Sequence, residues 1–561
     1  MRRPCAALAA AAAVAAAALA APALALPLPN QRQLDFMELG RIQFFHFSIP
    51  TFWDPPTAYL FTKNPTYHNC ATTAMDHGNQ TGSYYPCLDP LIFAPTNFSA
   101  DDWMRTAAAL GSREICLTAH HEGGFALWPS NFTSYSVRKS LLWRGGSGDV
   151  LREFADAANR WGIGICYYLN PTSNSYHTLV EKMAPEPYIE AELGMLREVM
   201  TTYGPVNRFW FDGTSDLPAG TNVTDLWRRV YALIREVSPP TLISPYRGDV
   251  CATTGSLLTR AGPVPNSTDM SACAPPSEDG AYFHPSEMHG ITLQEGPDGN
   301  TDALPTYWFW HPWACAGNVT GCPWVGHANA SRIFDSHLTT VGHGAVLNFN
   351  APAERTGRMN VSAAAEMFDA GLALNATFAG APVAGFETGP VNVSVGVPLV
   401  VDLPGAGGQP FDYVVAMEDL RFGQRIANYS IDYMAVGSSV WEVLVPPVVK
   451  NATAPFGDRP DGHDPRDQYL GHRRIDFPVV NTSSFASGGG PVVPVARVRF
   501  NVLRALAEPA VLRSLTLRLR QTPWGARGSS DEWTEAARAN AELAAARPRA
   551  EAPRALEAAR G

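Results

Sequence analysis

The stretch RFWFDGTSD, Arg208 to Asp216, decides how this chain is read. A short aromatic run, Phe209-Trp210-Phe211, reads as a strand buried on both faces. It ends in a carboxylate, Asp212, followed by Gly213. A charge inside such a strand costs several kcal/mol unless it is paired or kept near solvent. Asp212 is therefore either a cap at a turn or a working carboxylate at the rim of a sheet.

The same pattern recurs on either side. Strand-like apolar segments occupy Arg41–Phe47, Arg113–Ala119, Gly162–Leu169, Val206–Phe211, Thr241–Ser244 and, later, Ala345–Phe349. Helical patterns fill intervals at Asp101–Leu110, Asp149–Trp161, Pro187–Thr202 and Thr224–Ser238. Strands separated by helices of this length build βαβ units and a parallel sheet. The expected fold class is α/β: a (β/α)8-type barrel catalytic domain over residues 26–385, followed by a C-terminal all-β sandwich over 386–521. An open doubly wound sheet is the competitor, but no G-x-G-x-x-G follows a strand. The sandwich expectation rests on the runs Val391–Val401, Phe411–Met417, Ile431–Met434 and Val440–Val445, punctuated by Gly and Pro. Residues 522–561 are rich in Ala, Arg and Glu and poor in bulky apolar side chains, so a disordered tail is expected there.

At 561 residues the chain exceeds one ordinary domain. A net charge of -10 leaves no basic footprint, so no nucleic acid partner is expected. The opening MRRPCAALAAAAAVAAAALAAPALAL has a basic start, an apolar middle and a small-residue end. It reads as a signal peptide over residues 1–25, with Ala23-Leu24-Ala25 as the cleavage pattern. No later stretch is long, apolar and uncharged enough to suggest a membrane span. The expected location is secreted or lumenal: an extracellular or apoplast-like space, or a lysosome or vacuole. Many Asn-x-Ser/Thr sequons agree with that route, among them Asn97, Asn131, Asn222, Asn329 and Asn392. Of the nine cysteines Cys5 leaves with the signal, and near neighbours suggest Cys70–Cys87, Cys251–Cys273 and Cys315–Cys322 as disulfides. Cys116 and Cys166, inside strand-like runs, read as inert buried thiols.

Polar residues recur where the strand-like runs end. His46 closes the first, His120 and His121 the second, Tyr168 lies near the end of the third, and Asp212 closes the fourth. In a (β/α)8 barrel these ends converge on one mouth, where active sites lie.

The stretch AHHEGGFALWPSNFTSYSV, Ala119 to Val137, resembles the His-His-Asp-Gly-Phe-x-Leu-Trp-Pro-Ser motif of the α-L-fucosidases of glycoside hydrolase family 29. FFHFSIPTF (Phe44–Phe52), YYLNP (Tyr167–Pro171), FWFDG and VGHGAVLNFNAPAERTG (Val341–Gly357) are similar to further segments of that family, in the same order. EDLRFGQRIANYSID and LGHRRIDFP resemble its β-sandwich. The resemblance implies retaining hydrolysis, with one carboxyl group attacking C1 and another protonating the departing oxygen. It makes Asp212 the nucleophile and His46, His120, His121 and Tyr168 substrate-binding residues; Trp128 either stacks under the sugar's apolar face or packs in the core. The implied partner is a fucosylated oligosaccharide or glycoprotein glycan, with no cofactor and no metal, and with oligomeric state left open.

The acid/base departs from the family pattern. Where many members carry the Glu of a Gly-Asn-Glu, this chain reads RGDVCATTGSLL, Arg247 to Leu258, with no Glu. The substitutes are Glu287 in HPSEMHG, which resembles the family's Pro-Ala-Glu, Glu278 in PPSEDG, and Asp249; for Glu287 a structural carboxylate is the favoured reading, with a loop-borne Glu278 reaching in instead. This gap keeps an alternative open: a degenerate member that binds fucosylated glycans with little or no hydrolysis. A metal-dependent hydrolase built on His46, His120 and His121 has the right residue types but lacks a carboxylate ligand at matching spacing.

Overall fold

The computed structural model describes residues 28–52, 87–212, 216–245, 248–254, 285–292, 294–295, 308–310, 326–405, 408–447, 470–480, 482 and 492–521. The expected signal peptide, the expected tail, Glu278 and the pairings of Cys251–Cys273 and Cys315–Cys322 lie outside the described residues or side chains. Cys87 is disulfide-bonded, and its expected partner Cys70 also lies outside them.

Parallel strands form the central sheet. They are β1 (Arg41–Phe45), β2 (Glu114–His120), β3 (Gly164–Leu169), β4 (Arg208–Phe211), β5 (Leu242–Pro245), β6 (Cys251–Thr254) and β7 (Ser286–Thr292). A short antiparallel pair, β8 (Gln294–Glu295) and β9 (Gly326–His327), precedes the last parallel strand, β10 (Val346–Asn350). The 8-stranded order is β5-β4-β3-β2-β1-β10-β7-β6, so the first strand lies between the second and the last. That is the cyclic order of a barrel. Among the described residues, no ladder joins β5 to β6, so the domain is barrel-like with one seam.

The helices start where the sequence gives them caps. Ser99, Asp149 and Asn222 accept hydrogen bonds from the backbone of Asp102, Arg152 and Asp225, opening Ala100–Leu110, Val150–Trp161 and Val223–Val237. Gly111 and Gly162, at φ 83° and 65°, end the first two in the left-handed conformation that only glycine adopts at no cost. Helix Pro185–Thr202 starts with proline in its first turn.

Strand β4 shows why the opening stretch reads as it does. Phe209 and Phe211 join the large core formed with the surrounding helices. Trp210 packs instead with Phe44, Cys116, Cys166 and Tyr168 in the barrel interior. Side chains alternate along a strand, so Arg208, Trp210 and Asp212 share the inner face. Arg208 is fully buried, and its guanidinium serves two carboxylates: Glu114, at 2.8 Å, and Glu287, by a close ion pair. Beneath it, Phe36 of helix Gln31–Leu39 closes the floor against Ile42, Leu242 and Val346, at the starts of their strands.

Cys116 and Cys166 are joined in a disulfide, contrary to the inert thiols expected. The reason is register. They are direct partners across β2 and β3, both facing the interior, a juxtaposition that a sequence separation of 50 conceals.

Beyond helix Val361–Phe378 the chain forms two antiparallel sheets. One contains Ala384–Phe386, Ala510–Arg518, Tyr413–Glu418 and Arg474–Asp476; the other contains Leu399–Asp402, Val495–Ala505, Ile426–Ala435 and Glu442–Val445. They enclose their own core around Phe411, Tyr429, Ile431, Phe500 and Leu515. Tyr413, Val415 and Ile475 pack on the barrel side, joining its core. The expected boundary after residue 385 falls inside the strand Ala384–Phe386.

Candidate active site

Parallel strands put their C-terminal ends on one rim, and five expected residues come from those ends. His46 follows β1, His120 ends β2, His121 follows it, Tyr168 lies near the end of β3, and Asp212 follows β4. Four of them gather. The Tyr168 hydroxyl donates to Asp212 Oδ2 at 3.0 Å. The His121 ring stacks on Tyr168 with centroids 5.0 Å apart, and His46 meets His121 edge-on at 5.8 Å. Trp210 lies against Tyr168 at 5.5 Å and 16°, one step deeper in the barrel.

Asp212 is partly exposed while every other member of this group is buried, which suits a carboxylate meeting a ligand from solvent. Burial, then the charges of Asp212 and Glu122, push the Tyr168 phenol well above its ordinary range. Tyr168 thus keeps its proton and acts as a fixed donor to Asp212. His46 is oriented by Asn350, the last residue of β10, whose Oδ1 lies 2.8 Å from Nδ1. Trp308 and Phe309 wall the same ring at 5.0 Å and 5.4 Å. Among the described residues, the Asp212 carboxylate, two imidazoles and a phenol thus meet at the strand ends, backed by aromatic rings.

Two expected site residues are placed elsewhere. Trp128 is in the core, and its indole N–H donates to Glu198 at 3.0 Å on helix Pro185–Thr202, so it presents no face to the mouth. Glu287 is fully buried in the interior ion pair, where it also accepts from Trp210 Nε1 and Asn348 Nδ2, each at 2.9 Å. Those contacts place it below the aromatic layer rather than at the rim. His120 is intermediate. It sits at the strand end, but its Nε2 lies 3.4 Å from Glu192 and its Nδ1 3.1 Å from the His121 carbonyl oxygen. Asp249 accepts from Arg235 at 2.6 Å and from the backbone N–H of Ile243 at 3.0 Å, tying down the seam strand.

Sequence reasoning missed Asn350, Trp210 and Glu192. Asn350 had a signal, as the last inward position of Val346–Asn350. Glu192 had one too, a charge inside the apolar stripe of an amphipathic helix. Among the described residues, no group of three or more His, Cys, Asp or Glu is arranged to hold a metal ion.

Comparison with known proteins follows the same line. The alpha-L-fucosidase family model matches residues 44–257. Over 457 residues the chain is 26% identical to the alpha-L-fucosidase 1 of Arabidopsis thaliana, spanning 74% of this chain and 79% of that protein. A glycoside hydrolase 29 family member from an unknown rumen bacterium superposes with a TM-score of 0.62 at 23% identity, covering 91% of this chain and 81% of that one. A Ruminococcus gnavus fucosidase of the same family, solved in complex with fucose, gives a TM-score of 0.58 at 17% identity, covering 88% and 95%. At such identities the two structures speak for the fold: a barrel-like α/β domain with a β-rich C-terminal domain.

Proposed function

We propose, from the premise that this chain belongs to the alpha-L-fucosidase family of glycoside hydrolases, that it removes terminal α-L-fucose from glycans with retention of configuration. The observation that carries the proposal is Asp212, half-open at a strand end and held by the Tyr168 hydroxyl at 3.0 Å beside His46 and His121. In the first step an Asp212 oxygen bonds to C1 as the glycosidic C1–O bond breaks, and the departing oxygen takes a proton from an acid. In the second a water oxygen attacks C1, its proton returns to that acid's conjugate base, and Asp212 departs. The two displacements on one carbon account for retention. Trp308 and Phe309 supply an apolar wall suited to a deoxy sugar's methyl group, and the imidazoles of His46 and His121 suit its hydroxyls.

For the acid the reading rests on Glu278, since Glu287 and Asp249 are committed to structural contacts. A closed (β/α)8 barrel, continuous across the seam between β5 and β6, belongs to the same reading. So does a secretory route. It is supported by the exposure of the sequon asparagines Asn97, Asn131, Asn222, Asn329 and Asn392, whereas Asn360, Asn375 and Asn428 are only partly exposed. Asn222 and Asn329 cap their helices through Oδ1, an atom that a glycan does not use.

The test is hydrolysis of an aryl α-L-fucoside and of fucosylated oligosaccharides, following by NMR the anomer first released. The α-anomer is expected. Asp212→Gly should abolish turnover, and added azide should restore part of it as the inverted β-fucosyl azide. Initial release of the β-anomer by the wild type, or near wild-type turnover by Asp212→Asn, refutes the mechanism. Binding of fucosylated glycans without hydrolysis would establish the degenerate member instead.

A further inference from the structure

Helix Pro185–Thr202 packs on the outside of the barrel through Tyr188, Ile189, Met195, Leu196 and Val199. Glu192 lies in the same buried stripe and is wholly inaccessible. A carboxylate there costs several kcal/mol unless its oxygens are satisfied. They are. Asn174 Nδ2 donates to it at 2.8 Å, His177 Nδ1 lies 3.1 Å away, and His120 Nε2 3.4 Å away. Burial alone would raise this carboxyl's pKa, but the bonds from His120 and His177 outweigh it and lower the value. Glu192 is therefore an anion at the centre of a closed polar cluster.

What makes the cluster more than a stability device is where its donors come from. His120 ends β2, whereas Asn174 and His177 lie beyond β3. One carboxylate thus clamps together the two loops that flank the nucleophile's partner. The loops also touch directly. Gly124 has φ +84°, and a Cβ there would lie 2.0 Å from Asn174 Oδ1, so the approach requires glycine. On its other side His120 reaches the His121 carbonyl at 3.1 Å, and the His121 ring stacks on Tyr168, which holds Asp212.

We propose that Glu192 is a positioning residue for the fucosidase reaction, fixing through His120 the loop that lays His121 on Tyr168 and so sets the orientation of Asp212. The proposal rests on the functional reading above. The sequence-level role of His120 changes with it. His120 acts from behind the site, through His121, rather than on the sugar.

The experiment uses the full-length protein with Glu192→Gln, which keeps the shape but removes the charge, and Glu192→Asp, which keeps the charge on a shorter arm. Folding is followed by circular dichroism and turnover on an aryl α-L-fucoside. Loss of positioning is expected to lower kcat by about 10- to 100-fold in the folded variants, with KM little changed. His121→Ala should also cost less in the Glu192→Gln background than in the wild type, because the two act on one arrangement. A folded variant with wild-type kcat, or strictly additive losses with His121→Ala, overturns the proposal and leaves the functional reading intact. Failure of both variants to fold assigns Glu192 to stability alone and likewise overturns it. A wild type that neither cleaves fucosides nor binds a fucose-like iminosugar overturns both.

Discussion

Tyr168 is the residue on which the rim geometry depends. Its ring is stacked against both His121 and Trp210, and its hydroxyl reaches Asp212. Tyr168→Phe keeps the stack and deletes the hydrogen bond to the charged Asp212, worth about 1.5–3 kcal/mol, together with the contact to the Asn170 side chain. Turnover of an aryl fucoside is therefore expected to fall by about 10- to 100-fold with the melting temperature nearly unchanged. Unaltered kcat in the variant would mean that Asp212 is held by other groups. At this scale the sequence was informative wherever backbone direction decides placement. Asp212, Tyr168, His46 and His121 all lie at strand ends, and strand ends converge. It misled where a side chain has two directions to choose between. His120 ends a strand and Trp128 lies in the loop after it, yet both side chains turn to the helix Pro185–Thr202, meeting Glu192 and Glu198.

Elements carry the next set of constraints, and β4 shows both what was legible and what was not. Its run of aromatics marked a strand, and the observed Arg208–Phe211 lies inside the expected Val206–Phe211. The period-two alternation was concealed because Trp210 on the inner face is as apolar as Phe209 and Phe211 on the outer. The partners of Arg208 were concealed as well, since Glu114 and Glu287 lie on strands far away in sequence. That ion pair separates two roles for Glu287. Removing one partner of a buried pair leaves an uncompensated charge and costs about 3–5 kcal/mol. Glu287→Ala is thus expected to lower the urea midpoint strongly and, in whatever remains folded, to reduce hydrolysis of activated and unactivated fucosides by the same factor. An acid behaves differently, because an activated aryl oxide leaves without a proton. Selective loss on the unactivated substrate, with stability intact, would restore Glu287 as the proton donor, whereas the same selectivity in Glu278→Ala is the expected outcome.

On the scale of the whole molecule, the two domains meet over a cluster of buried histidines among arginines. His472, from the sandwich, lies 3.9 Å from Glu38 on the barrel floor, and Arg513 pairs with the same carboxylate. Burial, with Arg473 and Arg513 nearby, pushes His472 down to about 3, while the Glu38 charge opposes the shift. Burial and Arg474 push His343 to about 4. Burial, Arg41 and Arg473 hold His337 well below its ordinary range. A histidine whose folded pKa lies below its unfolded value adds nothing to the pH dependence above about pH 6.5, where both states are neutral. As pH falls below that, the unfolded chain takes up a proton that the folded chain refuses, and stability declines until the folded pKa is reached. The loss is on the order of 3 kcal/mol for one such histidine by about pH 4. Glu418 works in the opposite sense. Burial raises it to about 7, against three backbone N–H groups that lower it, so the folded state gains its proton first and stability rises as pH drops from about 7 towards 4.5. At the domain contact itself all three histidines act in the destabilising sense, and Glu38, held low, loses its stabilising charge only at still lower pH. Urea midpoints measured from pH 7.5 to 4.5 should therefore fall steadily below about pH 6.5. His343→Leu should flatten that fall by about one histidine's share, because it removes the titrating group while keeping the site filled. A midpoint independent of pH over this range, or a His343→Leu profile parallel to the wild type, would show that these rings gain protons in the folded state and that the domain contact is not acid-sensitive.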